Sequence, residues 1–274
     1  MKTTKISART LLRAAVLSLA MLPALASAAR AQADLDALIE QIVAANRILY
    51  RQGVVDGFGH VSARHPAHKD RYLMSAAVAP GRVGKDNIME FDMDSKPLDQ
   101  RGQPIYAERF IHSEIYKVRP DVNAILHSHS PTVIPFGASQ MPLRPILNSA
   151  GFLWPDVPVF EMRKVAGSRS LLVTDGKLAK ALAETLGNRP VALMRGHGNV
   201  VVGPNIPRMV SRAIYTEVNA RLQLQAIALG GPIVYIDEGE ARAGEAMRDK
   251  TERGQSVDRT WQMWVEEAIG APQH

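Results

Sequence analysis

The sequence predicts an α/β domain whose sheet is not purely parallel, and three observations carry that prediction. Segments with apolar residues at helical spacing interleave with short extended apolar runs. Two of those runs lie beside turns too brief for a crossover: Ile88–Asp92, followed by Asp94-Ser95-Lys96, and Val191–Met194, which is separated from 200–202 by a five-residue turn. Such neighbours pair antiparallel. Once a removable leader is set aside, about 240 residues remain, a length that suits one large domain. No internal repeat or low-complexity linker divides them.

The elements follow in order. A helix is expected over 34–51, where Leu35, Leu38, Ile39, Ile42, Val43, Ile48 and Leu49 recur at helical spacing. Residues 53–62 read as a turn entering a short strand, Tyr72-Leu73-Met74 as a second strand and Ile88–Asp92 as a third. A helix over 106–118 is stopped by Arg119-Pro120, and 122–127 is a strand. Leu171-Leu172-Val173 reads as short and extended, and Gly176–Leu186 as a helix with Gly187 as its stop. The runs 191–194 and 200–202 flank the 195–199 turn, and a long helix over 207–229 ends at Gly230-Gly231. From about 238 the tail is charged; Trp261, Met263, Trp264 and Ile269 are available to dock it on the body or a neighbour.

Residues 1–31 have the layout of a secretory signal peptide. Lys2, Lys5, Arg9 and Arg13 precede an apolar run over 14–25, and Ala29-Arg30-Ala31 offers a cleavage site before Gln32. The run is too short to span a membrane, and Arg9 and Arg13 are not adjacent, so no twin-arginine signal is evident. The expected organisation is a leader over 1–31 and a single domain over 32–274, periplasmic or secreted and free of the membrane after cleavage. Five basic residues and no acidic ones lie in the leader, so the formal net charge of +6 falls to +1 without it. That balance gives no footprint for nucleic acid. The chain has no cysteine, so any metal must be held by His, Asp or Glu.

Function is legible first in Ile125-Leu126-His127-Ser128-His129-Ser130. On a strand, residues i and i+2 face the same side, so His127 and His129 can converge on one ion. His197, between Gly196 and Gly198, can approach the same point from another turn. Three nitrogen ligands with an open position form a catalytic metal site rather than a structural one.

Glu108-Arg109-Phe110-Ile111-His112, 119–129 with its His127-Ser128-His129, and Leu193-Met194-Arg195-Gly196-His197-Gly198 together resemble the class II aldolase/adducin superfamily over about 35–231. The resemblance implies a three-layer α/β/α fold with a largely antiparallel central sheet. It implies a divalent metal, zinc first with manganese, cobalt or iron as alternatives, held by His127, His129 and His197. It also implies Glu108 as a proton carrier able to touch the metal, and a homo-oligomer, a tetramer by family habit. Gly59-His60-Val61-Ser62 corresponds to the loop that family aldolases wrap around a substrate phosphate, which makes His60 and Ser62 the substrate-binding candidates.

Two departures move the substrate. Sugar-phosphate aldolases carry Ser-Ser before the glutamate where this chain has Tyr106-Ala107, and asparagine where it has His60. Fewer small hydroxyl donors favour a carboxylate over a phosphate, met by His60 or by Arg64 or Arg82. The segments 59–64, 129–137, 194–198 and 215–221 are most similar to decarboxylases acting on hydroxycarboxymuconate-semialdehyde-type or dihydroxyphthalate-type acids. The expectation is a metal-dependent carbon–carbon lyase that decarboxylates a hydroxy or oxo carboxylic acid through an enolate whose charge the metal stabilises. Aldol cleavage of a hydroxy-carbonyl compound, phosphorylated or not, shares that logic and stays open; a non-catalytic adducin-like module is the alternative of another class. His112, one helical turn beyond Glu108, reads as a packing or hydrogen-bonding residue. His65 and His68 read as solvated, and Glu114, Tyr215 and Glu217 as structural or subunit contacts.

Overall fold

The computed structural model describes residues 8–252 and 256–270, with side chains from 27 to 248 and from 259 to 270. The chain forms α1 (Ala8–Arg51), β1 (His60–Arg64), β2 (Arg71–Ser75), β3 (Ile88–Asp92), α2 (Phe110–Val118), β4 (Ala124–Ser128), α3 (Ile134–Ala138), β5 (Val159–Phe160) and α4 (Met162–Ala166). It continues through α5 (Gly176–Leu186), β6 (Val191–Met194), β7 (Gly198–Gly203), α6 (Ile206–Leu229), α7 (Glu238–Glu252) and α8 (Ser256–Ile269).

The strands form one seven-stranded sheet in the order β3-β2-β1-β4-β7-β6-β5. Neighbours are antiparallel except β5 and β6, which are parallel. Side-chain alternation across this register divides the core in two. Val61, Leu126, Val201 and Val191 form one row and pack under α1, α6 and α8. Met74, Ile125, Val200 and Ala192 face the opposite side and pack under α2 and α5. Both faces are therefore covered, which gives the three-layer α/β/α arrangement and explains why the central strands read as continuous apolar runs. Each large aliphatic side chain buried this way contributes about 1.5–3 kcal/mol relative to exposure.

Local signals set the helix limits. The Asp175 carboxylate accepts from Leu178 N at 2.9 Å to start α5, and Gly187 ends it at φ 53°. Asn205 caps α6 through Arg208 N at 2.8 Å.

Four expectations change. The first helix is longer than 34–51: the described backbone is helical from Ala8. Residues 1–7 of the expected leader, and its side chains up to 26, lie outside the described residues. The expected helix over 106–118 is two pieces, a 3₁₀ turn at Ala107–Arg109 and then α2, with Glu108 at the kink (φ −91°, ψ 16°). Leu171–Val173 pairs with no strand; the sheet edge is β5, too short to show a period, and Leu171–Val173 is a loop whose backbone serves the site. The charged tail forms α7 and α8: Glu245 pairs with buried Arg208 at 2.6 Å, and Trp264 and Ala268 are buried. Met263 and Ile269 stay largely exposed. Among the described residues no helix is long and apolar enough to cross a membrane.

Candidate active site

β4 carries His127 on the face under α2 and ends at Ser128, so His129 follows directly where the chain leaves the sheet. The β6–β7 turn brings His197 alongside, and the 3₁₀ turn before α2 brings Glu108 over the same point. One ligand atom from each of Glu108, His127, His129 and His197 lies within 4.8 Å of all the others. Glu108 Oε2 is 3.5 Å from His127 Nε2 and 3.4 Å from His197 Nε2, and His129 Nε2 is 3.0 Å from His197 Nε2. The structure thus brings together all four residues singled out in the sequence.

The imidazoles are oriented from outside. His127 Nδ1 donates to the Asn199 carbonyl at 3.2 Å and His197 Nδ1 to the Leu171 carbonyl at 3.0 Å, so in both rings the Nε2 lone pair faces the centre. Glu108 Oε1 accepts from Val173 N at 2.7 Å, leaving Oε2 to the histidines. Burial pushes the Glu108 carboxyl up, but the adjacent imidazoles of His127 and His197, 3.5 and 3.4 Å from Oε2, outweigh it and hold the group well below the usual carboxylate range. Burial, reinforced by His127 and His197, lowers His129 to about 4.

This donor set fits a divalent cation. His127 Nε2 is buried without a hydrogen bond, and such an unmatched group costs about 1–3 kcal/mol. The lone pair of His197 Nε2 lies 3.0 Å from His129 Nε2. An anionic carboxylate and lone-pair imidazole nitrogens are the protonation states that metal binding requires.

Two devices hold the site's ends. Gly196 makes the turn before His197 at φ 66°. A Cβ added at Gly198 would lie 2.0 Å from the Ser128 carbonyl oxygen, so that glycine permits close approach to β4 rather than to a ligand. Gly198→Ala is expected to destabilise by about 3 kcal/mol or more, because the clash is with backbone; an unchanged midpoint in urea unfolding would refute it. Beyond His129, buried Glu217 of α6 accepts from the hydroxyls of Ser130 and Thr132 and from Thr132 N at 3.2 Å. Glu217→Ala leaves these donors unmatched and frees the loop that carries His129. Metal affinity is expected to fall by about 10–100-fold, as for lost outer-sphere support, read by competition with a chromogenic chelator.

Glu108, His127, His129, His60, Tyr106 and Leu172 line a pocket of roughly 560 Å³, which Phe58 also borders. His60, paired directly opposite His127 in the sheet, is buried with its ring 4.4 Å from that of Tyr106. Ser62 requires a correction: it is fully buried behind the pocket, its hydroxyl engaged by His112 Nδ1 at 2.6 Å and Tyr116 Oη at 2.9 Å, so substrate cannot reach it. Arg64 spends its guanidinium on the carbonyls of Val122, Lys69, Tyr116 and Arg119, and Arg82 is exposed away from the pocket lining. His65 is buried, not solvated; its Nδ1 accepts from Ala67 N and His68 N, both at 3.1 Å.

The family described as Class II Aldolase and Adducin N-terminal domain matches residues 40–224. The chain is 36% identical over 252 residues to decarboxylase tropJ of Talaromyces stipitatus, covering 84% of this chain and 93% of the relative.

The chain belongs to the class II aldolase/adducin family.

A second relative, the 3,4-dihydroxyphthalate decarboxylase of Arthrobacter keyseri, is 30% identical over 73% of this chain and 83% of its own. Among solved structures, the L-fuculose 1-phosphate aldolase from Glaciozyma antarctica superposes with a TM-score of 0.70 at 25% identity, covering 88% of this chain and 92% of its own. The fold is that of the class II aldolases, a family dependent on divalent metal, and with decarboxylase relatives and a complete donor set this chain is a metal-dependent lyase.

Four contributors escape a reading of motifs. Tyr116 stands four residues after His112 and eight after Glu108, and that helical stripe was its signal. The carbonyls of Leu171 and Asn199 and the Val173 amide act through backbone, which no residue type announces.

Proposed function

We propose that the chain decarboxylates a hydroxy- or oxo-substituted carboxylic acid of aromatic or ring-cleavage type, using zinc as its divalent metal. The observation that carries this is the composition of the pocket. Glu108, His127 and His129 line it, and beside them stand His60 and Tyr106 in place of small hydroxyl donors. The decarboxylase relatives support the same reaction class.

A divalent cation held by His127, His129 and His197 would supply positive charge to stabilise negative charge developing on a substrate oxygen. The Glu108 carboxylate accepts the proton of the substrate hydroxyl as the acid binds. Glu108 then passes that proton to the carbon bearing the carboxylate, which converts the neighbouring hydroxyl carbon to a carbonyl. Cleavage of the carbon–carbon bond to the carboxylate releases carbon dioxide and moves its electron pair onto that carbonyl oxygen, which regains a proton from solvent. Tyr106, tethered through its hydroxyl to the Val78 carbonyl at 2.6 Å, presents a fixed apolar ring that keeps water from the reacting carbon.

A panel of hydroxy-aromatic and β-keto carboxylates, assayed for carbon dioxide release beside sugar phosphates assayed for aldehyde release, tests the proposal. Carbon dioxide from a carboxylate is the expected result; aldehyde from a sugar phosphate alone would overturn it in favour of aldol cleavage. The basic–apolar leader supports export to the periplasm or beyond, tested by N-terminal sequencing for a mature chain starting near Gln32. Family resemblance supports a homotetramer, tested by light scattering.

A further inference from the structure

His60, Ser62, His112 and Tyr116 lie outside the ligand cluster, yet they form a continuous run of hydrogen bonds that ends at the pocket. Tyr116 Oη is 2.9 Å from Ser62 Oγ, Ser62 Oγ is 2.6 Å from His112 Nδ1, and His112 Nε2 is 2.6 Å from His60 Nδ1. No residue of the four is more than 3% exposed, so water does not interrupt the run. Each contact holds one proton, and a neutral imidazole has one N–H and one lone pair. The direction of donation at one end is therefore transmitted to the other.

That direction is decided at Tyr116. Among the described residues the only hydrogen-bond partner of its Oη is Ser62 Oγ. The phenol proton is either donated there or buried without an acceptor, and the first is strongly preferred. Ser62 then donates to His112 Nδ1, which places the His112 proton on Nε2. His112 Nε2–H donates to His60 Nδ1, which places the His60 proton on Nε2. His60 lines the pocket, and its Nε2 has no hydrogen-bond partner among the described residues. The reverse polarity would strand the Tyr116 proton.

We propose that Tyr116, Ser62 and His112 are positioning residues that lock His60 in its Nε2–H tautomer, making it a neutral donor that selects an anionic oxygen of the ligand beside the Glu108–histidine cluster. The identification of that oxygen as a carboxylate rests on the decarboxylase reading; the tautomer does not. A locked donor also disfavours ligands that present an N–H or a cation at that point, because two donors would then face each other.

The test uses the zinc-loaded full chain with histidine-selective ¹⁵N labelling, read by magic-angle-spinning NMR, with the His60 signals assigned by their loss in His60→Gln. The expected result is a proton on Nε2 of His60; a proton on Nδ1 in the wild-type chain overturns the wire. Ser62→Ala and Tyr116→Phe are expected to keep full zinc content, to mix the His60 tautomers and to weaken binding of 3,4-dihydroxyphthalate by about tenfold, the loss of one oriented bond to a charged group. Ser62→Thr, which keeps the hydroxyl, retains both the tautomer and the affinity. Unchanged tautomer and affinity in Ser62→Ala would also overturn the proposal. A wild-type chain that shows Nε2–H and binds inorganic phosphate but not the dicarboxylate keeps the wire and sinks the carboxylate reading.

Discussion

His127→Ala and His129→Ala are expected to fold, to lose their metal on purification, and to fall by a factor of about a thousand or more in kcat. The magnitude follows from the charge stabilisation at stake. A bound cation supplies several kcal/mol to a developing oxyanion, and each 1.4 kcal/mol is about tenfold in rate. Folding survives because the strand carrying His127 is held by core on both faces, with Ile125 and Leu126 fully buried on either side of it. Removing His127 also removes the buried nitrogen that lacks a hydrogen bond, so the metal-free variant loses no hydrogen bond at that atom. Thermal denaturation separates binding from folding. At free zinc about a hundred times its dissociation constant, the wild-type chain gains about 2.7 kcal/mol, or roughly 5–10 °C in Tm for a domain of this size. The variants should show no such gain. A full complement of metal in either variant, or a zinc-dependent rise in Tm equal to that of the wild type, would show that the cluster is not the binding site.

The site was more legible in the sequence than the scaffold that orients it, and the reason is physical. His127, His129, His197 and Glu108 are residue types that chemistry uses at close spacing, and the His-x-His spacing suggests convergence even though His129 lies just past the end of β4. What orients them is mostly backbone: the Asn199 and Leu171 carbonyls and the Val173 amide could belong to any residue. The loop around Leu171 illustrates the cost of reading pattern alone. Its apolar run suggests a strand, yet it stays outside the sheet so that one carbonyl and one amide can reach two different site residues. Ser62 shows the opposite error. A hydroxyl at a loop position that meets phosphate in family aldolases reads as a substrate contact, but the register that places His60 opposite His127 turns Ser62 inward beneath α2. The helix faces and antiparallel neighbours were readable because burial on both sides of the sheet imposes long apolar runs. β5, with two residues, is too short to impose any.

Glu108→Gln isolates the proton transfer from the metal site. The substitution keeps the side chain's shape, and the amide oxygen can still accept from Val173 N, the contact made by Oε1 at 2.7 Å. The amide nitrogen would then face His127 Nε2 and His197 Nε2, which lie 3.5 and 3.4 Å from Oε2 and offer lone pairs. The metal-free fold should therefore tolerate the change. Catalysis should not, because an amide can neither take the substrate's hydroxyl proton nor return it to carbon. Loss of a positioned acid–base group costs typically 10²–10⁴ in rate, so kcat for carbon dioxide release should fall by roughly that factor. The change also removes a negative charge facing the cation, so the variant must be assayed with zinc in excess and its occupancy measured. At full occupancy the expected pattern is a collapsed kcat with KM little changed, because the bonds that hold the ground state come from other residues. A kcat that recovers once zinc occupancy is restored would assign Glu108 to metal binding alone. A rise in KM with kcat preserved would make it a substrate-binding residue, and the proton would have to come from elsewhere in the pocket.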